Sequence, residues 1–294
     1  MKPVYDRMHA YFLKRDIIFA DETPCQVLKE PGKTAESKSY MWLYLAEEEE
    51  GSPSIALFQY TPTRAGYHAE KFLEGSDCKF LHCDGYQGYN RLTGLTRCGC
   101  LAHVRRKWHD ALPAEKNAGT LTSAEIGFDY CNRLFLIERE LKKLQPEKRK
   151  AQRLEKEAPV FKAFRSWLET VDAANGSMLY KAASYTQNQW PYLENFMQDG
   201  RCEISNNLTE NLARKYAVGR KNFLFHDTVA GAESSAIVYS LTETAKLNHL
   251  NVFLYLQNVL LYMPGYTDEP DNIEEMMPWS DKMQEMCSLN NKDE

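Results

Sequence analysis

The sequence predicts a mixed α/β fold in which an all-helical segment interrupts a strand-rich core. Short apolar and aromatic runs, bounded by turn residues, dominate the first hundred residues. After residue 120, apolar residues recur at three- and four-residue steps, as in Leu134, Ile137, Leu141 and Leu144. Such steps are typical of amphipathic helices, and a mixture of helices and strands resumes after residue 200.

The strand-rich part begins with the apolar run 17–20, which ends in Asp21, Glu22, Thr23 and Pro24. Pro24 biases the preceding residue towards extended geometry and suits the end of a strand. Helices are predicted at 66–73, 86–92 and 101–112. Strands are predicted at 17–20, 25–28, 39–45, 54–60, 78–83 and 96–100.

The helical segment is predicted at 113–200, with Pro146 starting a new helix inside it. A helix at 205–217, a short strand at 223–225 and closing helices at 229–247 and 250–262 follow. The predicted domain organisation is an N-terminal helix or lead-in, two parts of one core separated by the helical segment, and an acidic tail that we expect to fray. Their bounds are 1–16, 17–112, 113–200, 201–262 and 263–294.

The charge is unevenly distributed along the 294 residues. The chain has a net charge of −5, but residues 264–294 carry −7, which leaves +2 for the rest. The start has no apolar signal-peptide core, and no apolar run reaches the roughly 18–20 residues of a membrane span. We therefore expect a cytoplasmic protein without membrane contact, whose eight scattered cysteines stay reduced.

Three carboxylates occupy distinctive places in this pattern. Asp21 follows the first predicted strand, Asp84 follows a later one, and Glu210 lies in the first turn of a predicted helix. Strand alternation puts Ile17, Phe19 and Asp21 on one face, with Glu22 on the other. An acid ending an apolar strand needs compensation, and a divalent cation supplies it. Three carboxylates can hold two Mg²⁺ ions for an in-line phosphoryl displacement.

Each acid also has a purely structural interpretation. Asp84 and Gly85 form a common turn opener, and Asp21 could cap a turn before Pro24. Glu210 fits a capping box whose cap is Asn207. The three together, in the order strand, strand and helix, favour the catalytic interpretation.

Around these acids the chain resembles the catalytic region of DDE transposases of the insertion-sequence-66 family. The matching segments are spread over most of residues 17–262, in the family's order. They are ADETPCQVL (20–28), HCDGYQGYNRL (82–92), CLAHVRRKW (100–108), DGRCEISNNLTENLARKYAVGRKNFLF (199–225) and AIVYSLTETAKLNHLNVFLYL (236–256).

The resemblance implies an RNase H-like fold, with a mixed five-stranded sheet, flanking helices and the helical segment inserted before Glu210. It implies that Asp21, Asp84 and Glu210 form the catalytic and metal-binding triad, with Mg²⁺ as cofactor and Mn²⁺ as a substitute. The implied activity is cleavage of transposon ends and transfer of the 3′-hydroxyl strand to target DNA. The implied partners are DNA, a second copy of the chain on that DNA, and helper proteins of the same element.

The sequence departs from the family in two places. Asn211 follows Glu210 where relatives usually carry arginine, whereas Arg214 is retained. Only 20 residues precede Asp21, so we expect this chain to lack the family's N-terminal DNA-recognition region. A truncated, non-catalytic remnant that binds DNA or a partner is therefore an alternative, and a stand-alone nuclease is a third.

Two basic stretches predict contact with a phosphate backbone. The segments 85–109 and 211–225 contain basic residues but no acid. A solvated helix face is the competing interpretation. Tyr86, Tyr89 and Trp108 could stack on a base, although core packing is favoured. The candidate DNA-binding residues are Arg105, Arg106, Lys107, Arg214, Lys215, Arg220 and Lys221.

Two histidines are candidates for the surroundings of the metal. His82, two residues before Asp84, could support a metal ligand or be a core histidine. His103 is expected to orient a phosphate or a carboxylate. Zinc binding by Cys98, Cys100, His103 and His109 is conceivable, but their spacing is not that of a standard finger, so it is disfavoured.

Overall fold

The computed structural model of the chain describes residues 1–49, 51–114, 121–266 and 270–289. It confirms the mixed α/β class, with six strands in the described residues. The strands are β1 (Ile17–Lys29), β2 (Lys38–Ala46), β3 (Ile55–Thr61), β4 (Phe80–Cys83), β5 (Thr96–Gly99) and β6 (His226–Thr228). The helices are α1 (Lys2–Phe12), α2 (Tyr67–Phe72), α3 (Leu101–Asp110), α4 (Ser123–Leu141), α5 (Pro146–Lys156), α6 (Ala158–Leu168), α7 (Met178–Leu193), α8 (Asn207–Phe223), α9 (Val229–Leu247), α10 (Val252–Tyr266) and α11 (Asp281–Cys287). Within the described ranges, no helix has the length and apolar character needed to cross a bilayer.

The first strand is longer than predicted and runs without a break through Pro24. The sequence predicts two short strands here, because Pro24 suits the end of a strand. β1 instead pairs antiparallel with β2 on both sides of Pro24, which lies opposite Tyr40. Proline fits a strand wherever its nitrogen faces no acceptor. The predicted break is therefore wrong, and Asp21 lies within the strand rather than after it.

The strand predicted at 223–225 is also wrong. Helix α8 continues to Phe223, and Leu224 ends it in a left-handed conformation with φ of 62°. The N–H of Leu224 bonds to the Arg220 carbonyl at 2.7 Å, and β6 begins only at His226. Glycine usually occupies such a helix end, so leucine gave no signal in the sequence.

The chain divides into two compact units. The first contains Met1–Lys79, Gln87–Gly94 and Leu208–Glu294, and the second contains Phe80–Tyr86 and Leu95–Asn207. The predicted helical segment falls in the second unit, together with β4, β5 and α3. The domain boundaries themselves stay predictions.

The first unit is built on a mixed sheet in the order β3–β2–β1–β6. β2 pairs antiparallel with β1 and β3, whereas β6 pairs parallel with β1. Trp42, Tyr44 and Phe58 are fully buried, and they fill its core with large aromatic surfaces.

Helix α9 covers the outer edge of β3. The N–H of Phe58 donates to the Ser240 hydroxyl at 2.8 Å, and the N–H of Ala56 donates to the Thr244 hydroxyl at 3.0 Å. The Thr244 hydroxyl donates back to the Ala56 carbonyl at 2.9 Å. Ser240 and Thr244 lie one turn apart on the same helix face. Their hydroxyls thus satisfy backbone groups that an edge strand would otherwise expose.

The acidic C-terminal segment is packed where it is described, so the prediction that it frays is wrong there. A 3-10 turn (Pro270–Met276) and α11 follow α10. The Tyr11 hydroxyl donates to Glu274 at 2.7 Å, and Arg7 forms an ion pair with the same carboxylate. Four side chains of this segment are fully buried: Met276, Met277, Met283 and Cys287.

The acidic composition of the segment favoured a frayed tail, because its acidic residues are interspersed with the methionines that turn out to be buried. Four of the acids that gave the tail its charge lie outside the described residues. They are Asp268, Glu269, Asp293 and Glu294.

The second unit combines the parallel pair β4 and β5 with helices α3 to α7. Trp108 of α3 is fully buried, and its indole N–H donates to the Thr186 hydroxyl at 3.0 Å. A Cβ atom added at Gly127 would lie 2.4 Å from the Trp108 ring. Glycine at this position therefore lets α4 approach α3 closely.

An ionic cluster lies inside the second unit. The Glu138 carboxylate accepts hydrogen bonds from Arg153 at 2.7 and 3.0 Å and from Arg149 at 2.8 Å. Glu157 is fully buried beside them. Buried charges need such partners, which explains why three helix residues converge here.

Candidate catalytic carboxylates

Asp21 lies in the middle of β1, opposite Leu43 of β2. The residues before it, Ile17 to Ala20, are buried, whereas Asp21 itself is half-buried. One carboxylate oxygen accepts the N–H of Glu22 at 2.8 Å, which orients the group. The position suits a ligand held at the edge of a rigid core.

Glu22 is a buried acid whose role the sequence did not reveal. Its side chain is almost completely buried. It accepts hydrogen bonds from Arg64 Nε and from the Tyr89 hydroxyl, both at 2.7 Å. The alternation of β1 predicted only that Glu22 points away from Asp21, and neither partner is near it in sequence.

Glu210 lies in the first turn of α8 and is half-buried. The helix begins at Asn207, so Glu210 is its fourth residue, and the capping box stays an alternative interpretation of this acid. A carboxylate in the first turn also interacts favourably with the positive end of the helix dipole.

Asp84 directly follows β4 and is half-buried. One of its carboxylate oxygens accepts the N–H of Tyr86 at 2.9 Å, as in an Asx-turn. Arg97 Nη2 donates to the Asp84 carbonyl at 3.2 Å. The turn predicted for Asp84 is thus present, and it fixes the direction of the carboxyl group.

Tyr185 of α7 lies against this turn, which sequence reasoning missed. A Cβ atom added at Gly85 would lie 2.9 Å from the Tyr185 hydroxyl, so a larger residue there would displace this side chain. Burial, followed by the charge of Asp84, raises the pKa of Tyr185 well above its ordinary value. The Lys107 ammonium lies 5.7 Å from the centre of the same ring. Tyr185 therefore lies close enough to Asp84 to feel its charge, and a cation lies over the tyrosine ring.

The three carboxylates are distributed over both units. Asp21 and Glu210 belong to the first unit, and Asp84 belongs to the second. All three are half-buried, so each is shielded from bulk water without being sealed in the core.

His82 is fully buried in β4, where it lies opposite Cys98 of β5. Burial, followed by the charge of Arg153, lowers its pKa to about 3, so the ring is neutral. Its ring lies with the thiols of Cys98 and Cys202, with the ligand atoms all within 4.8 Å of one another. This position is that of a core histidine. Its role beside a metal ligand stays a prediction.

Of the four residues of the disfavoured zinc set, Cys100 and His103 lie together, with the thiol and a ring nitrogen within 4.8 Å of each other. Cys98 lies with His82 and Cys202, and the thiol of Cys100 accepts the N–H of Asn206 at 3.2 Å. His103 is half-buried on α3, whereas His109 is exposed near the helix end.

The basic residues of α3 are exposed as predicted: Arg105, Arg106 and Lys107. Arg105 Nε donates to Asn132 of α4 at 2.6 Å, and its guanidinium lies 4.7 Å from the centre of the Phe128 ring. The helix α3 thus presents cations that a neighbouring helix orients.

The basic residues of α8 differ in their engagement. Lys215 binds the buried carboxylate of Glu243 at 2.7 Å, and Arg220 donates to the Pro24 carbonyl. Arg214 and Lys221 are exposed, and no described residue forms an ion pair with either. Two of the four predicted phosphate contacts therefore have a structural role as well.

The aromatic residues weighed for base stacking are mostly core residues. Tyr89 and Trp108 are fully buried, which confirms the favoured interpretation, and Tyr86 is half-buried.

Comparison with known families agrees with these motifs. The family described as "Transposase IS66 family" matches residues 1–234, and "IS66 C-terminal element" matches residues 240–279. The chain therefore belongs to the IS66 transposase family, as the resemblance of its motifs predicted.

Curated relatives from Sinorhizobium fredii (strain NBRC 101917 / NGR234) align with nearly all of the chain. The uncharacterized protein y4jD is 29% identical over 294 residues, which are 95% of this chain and 56% of the relative. The uncharacterized protein y4hP is 27% identical over 300 residues, 95% of this chain and 53% of the relative. The uncharacterized protein y4qI is 28% identical over 292 residues, which are 92% of this chain and 53% of the relative. The chain thus spans about half the length of these relatives, and no solved structure matches it significantly.

Proposed function

We propose that the chain is the catalytic part of a transposase, with an RNase H-like core. It cleaves the DNA ends of its element and joins the freed 3′-hydroxyl strand to target DNA. The observation that carries this proposal is the placement of three half-buried carboxylates in a chain of this family. Asp21 lies in the first strand, Asp84 follows β4, and Glu210 begins α8.

The chemistry of these side chains suits magnesium. All three offer carboxylate oxygens, the hard ligands that Mg²⁺ prefers, and Mn²⁺ accepts the same set. When bound, the ions would neutralise charge on the phosphate that is transferred. Asp21 and Asp84 each use one oxygen for a backbone N–H, which orients the carboxylates before any ligand arrives.

The basic side chains would hold the DNA. Lys107 lies beside Tyr185, which in turn lies beside Asp84, so this lysine is well placed to contact a phosphate near that acid. Arg214 lies one turn after Glu210 and is exposed. Transposition joins two DNA ends, so two copies on DNA, with helper proteins of the same element, fit this function.

The decisive test is the substitution Asp84→Asn. We expect Mg²⁺-dependent cleavage of duplex DNA from the boundaries of the element to fall at least about a thousandfold, which corresponds to about 4 kcal/mol of transition-state stabilisation. Asp110→Asn, an exposed acid at the end of α3, is the matched control and should cleave like the unmodified chain. A labelled-strand nicking assay with Mg²⁺, Mn²⁺ or EDTA measures both.

The outcomes separate the alternatives. Persistence of cleavage in the Asp84→Asn variant would refute the assignment. DNA binding without cleavage by the unmodified chain would favour the remnant. Cleavage without joining of pre-cleaved ends would favour a nuclease.

A further inference from the structure

The second unit contains a groove between α3 and α4 that carries a strong positive charge. The groove has a volume of about 1100 Å³. Arg105 and Arg106 line it from α3, and Arg139 and Lys142 line it from the C-terminal end of α4. Sequence patterning indicated only the α3 side, because Arg139 and Lys142 belong to a helix of mixed charge.

The acids of the groove do not cancel these cations. Glu138 and Glu203 reach the groove, but Arg149 binds both, at 2.8 and 3.1 Å. Arg153 adds a second cation to Glu138. Asp129 is then the one carboxylate lining the groove, among described residues, that no arginine of this cluster neutralises. Arg105, Arg139 and Lys142 therefore face this one acid.

Three of the groove cations, Arg105, Arg139 and Lys142, are available to a ligand. Arg105 is oriented through Nε alone, since its bond to Asn132 leaves both terminal nitrogens without a hydrogen bond to any described residue. Arg139 and Lys142 are exposed, and the described part of the chain offers no ion pair to either. On α8, by contrast, Lys215 and Arg220 are held by protein groups.

We propose that this α3/α4 groove binds the phosphate backbone of duplex DNA. The lining residues of α4 run from Asp129 to Lys142, which spans about 20 Å at 1.5 Å per residue. One DNA strand carries a phosphate every 3.4 Å or so, so about six phosphates match that length. A single small anion would use only a fraction of the four cations. The inference rests on the proposed function, because it supplies DNA as the partner.

The test compares two double variants of the same helix. Arg139→Gln with Lys142→Gln removes two groove cations, whereas Arg133→Gln with Lys143→Gln removes two exposed cations outside the groove. Binding of a fluorescent 30-base-pair duplex is measured by anisotropy in EDTA at several salt concentrations. We expect the groove variant to bind at least about tenfold more weakly, with a salt slope reduced by about two, and the control to change little.

Each result bears on the groove separately from catalysis. Equal losses in both variants, or none in either, would overturn the inference, as would a loss confined to single-stranded DNA. A third outcome would assign the groove to a protein ligand instead of DNA. In that case the groove variant keeps its duplex affinity, and an acidic polypeptide displaces DNA from the unmodified chain but not from the groove variant. Because EDTA prevents cleavage, the binding assay measures only the affinity of the chain for DNA. The groove inference can therefore hold if the catalytic proposal fails, and the catalytic proposal can hold if the groove inference fails.

Discussion

Glu22 is the residue that fixes the backbone beside Asp21. Its buried carboxylate gathers Arg64 and Tyr89, and Tyr89 belongs to the 3-10 turn Gln87–Arg91. Its N–H also holds the Asp21 carboxylate. One acid therefore ties β1 to two loops of the same unit and orients the carboxylate of its neighbour.

Neither partner of Glu22 could be predicted, because both come from loops distant in sequence. The same holds for Tyr185 beside Asp84. Periodicity shows which residues are buried, but it does not show which hydroxyl or guanidinium meets a buried acid. The candidate acids themselves were visible, because a charge at a strand end or helix start contrasts with its apolar neighbours.

Glu157 predicts a pH dependence of stability. Burial, and then repulsion from Glu138, raises the pKa of Glu157 to about 9, whereas an ordinary glutamate titrates near 4.5. Between these values the folded chain binds a proton that the unfolded chain has released. Its stabilising effect is therefore complete below about pH 4.5 and is lost as the pH rises towards 9, by at most about 1.4 kcal/mol per pH unit.

Glu157→Gln should remove this dependence while keeping the shape of the side chain. Urea unfolding at pH 5, 6, 7 and 8 should show a smaller fall in the free energy of unfolding than in the unmodified chain. Glu155→Gln, an exposed acid of the neighbouring turn, is the control. Identical pH slopes for all three proteins would contradict the assignment of a neutral Glu157.

At the scale of elements, sequence patterning succeeded where periodicity was long. Helix α9 has the predicted bounds 229–247, and β2 and β3 differ from prediction by one residue at each end. Sequence patterning failed where a single residue determines the end of a strand or a helix. Pro24 did not end a strand, and Leu224 ended a helix that no glycine or proline marked.

Helix α11 gives a test of whether the acidic segment is packed. Met283 is fully buried, whereas Met286 in the same helix is 37% exposed. Met283→Ala should lower the free energy of unfolding by about 2–4 kcal/mol, because it removes apolar contacts and leaves a cavity. Met286→Ala should cost under about 1 kcal/mol. Chemical denaturation measures both, and equal small effects would mean that the segment contributes no core.

For the whole molecule, net charge says little about its partners. Several acids that make up the −5 lie inside as ion pairs, including Glu22, Glu138 and Glu243. Each of them consumes basic residues that would otherwise count towards a surface charge. The distribution of exposed cations, rather than their number, is what points to nucleic acid.

The cysteines make a prediction about the whole chain. All eight are buried, and none forms a disulfide. Burial raises the pKa of Cys25 to about 12 and also raises that of Cys131, so neither forms a thiolate at neutral pH. A thiol reagent such as DTNB should modify the native chain only slowly. In concentrated guanidinium, where the chain is unfolded, the same reagent should modify all eight thiols. Rapid native modification of several thiols, or a melting temperature that depends on reductant, would contradict this.

The contacts that join α8 to β1 lie near the C-terminal end of α8. A small rotation of the helix about these contacts therefore moves its N-terminal end. Arg220 meets the Pro24 carbonyl, and Tyr216 lies beside Cys25 and bonds to His226 at 2.9 Å. Glu210 lies ten residues from Arg220, about 15 Å along the axis. A rotation of about 4° about the Arg220 contact would displace the Glu210 carboxylate by about 1 Å. A displacement of that size is enough to cost roughly a hundredfold in the rate of a catalysed reaction. Under the proposed function, the position of the Glu210 carboxylate therefore depends on contacts near the other end of α8.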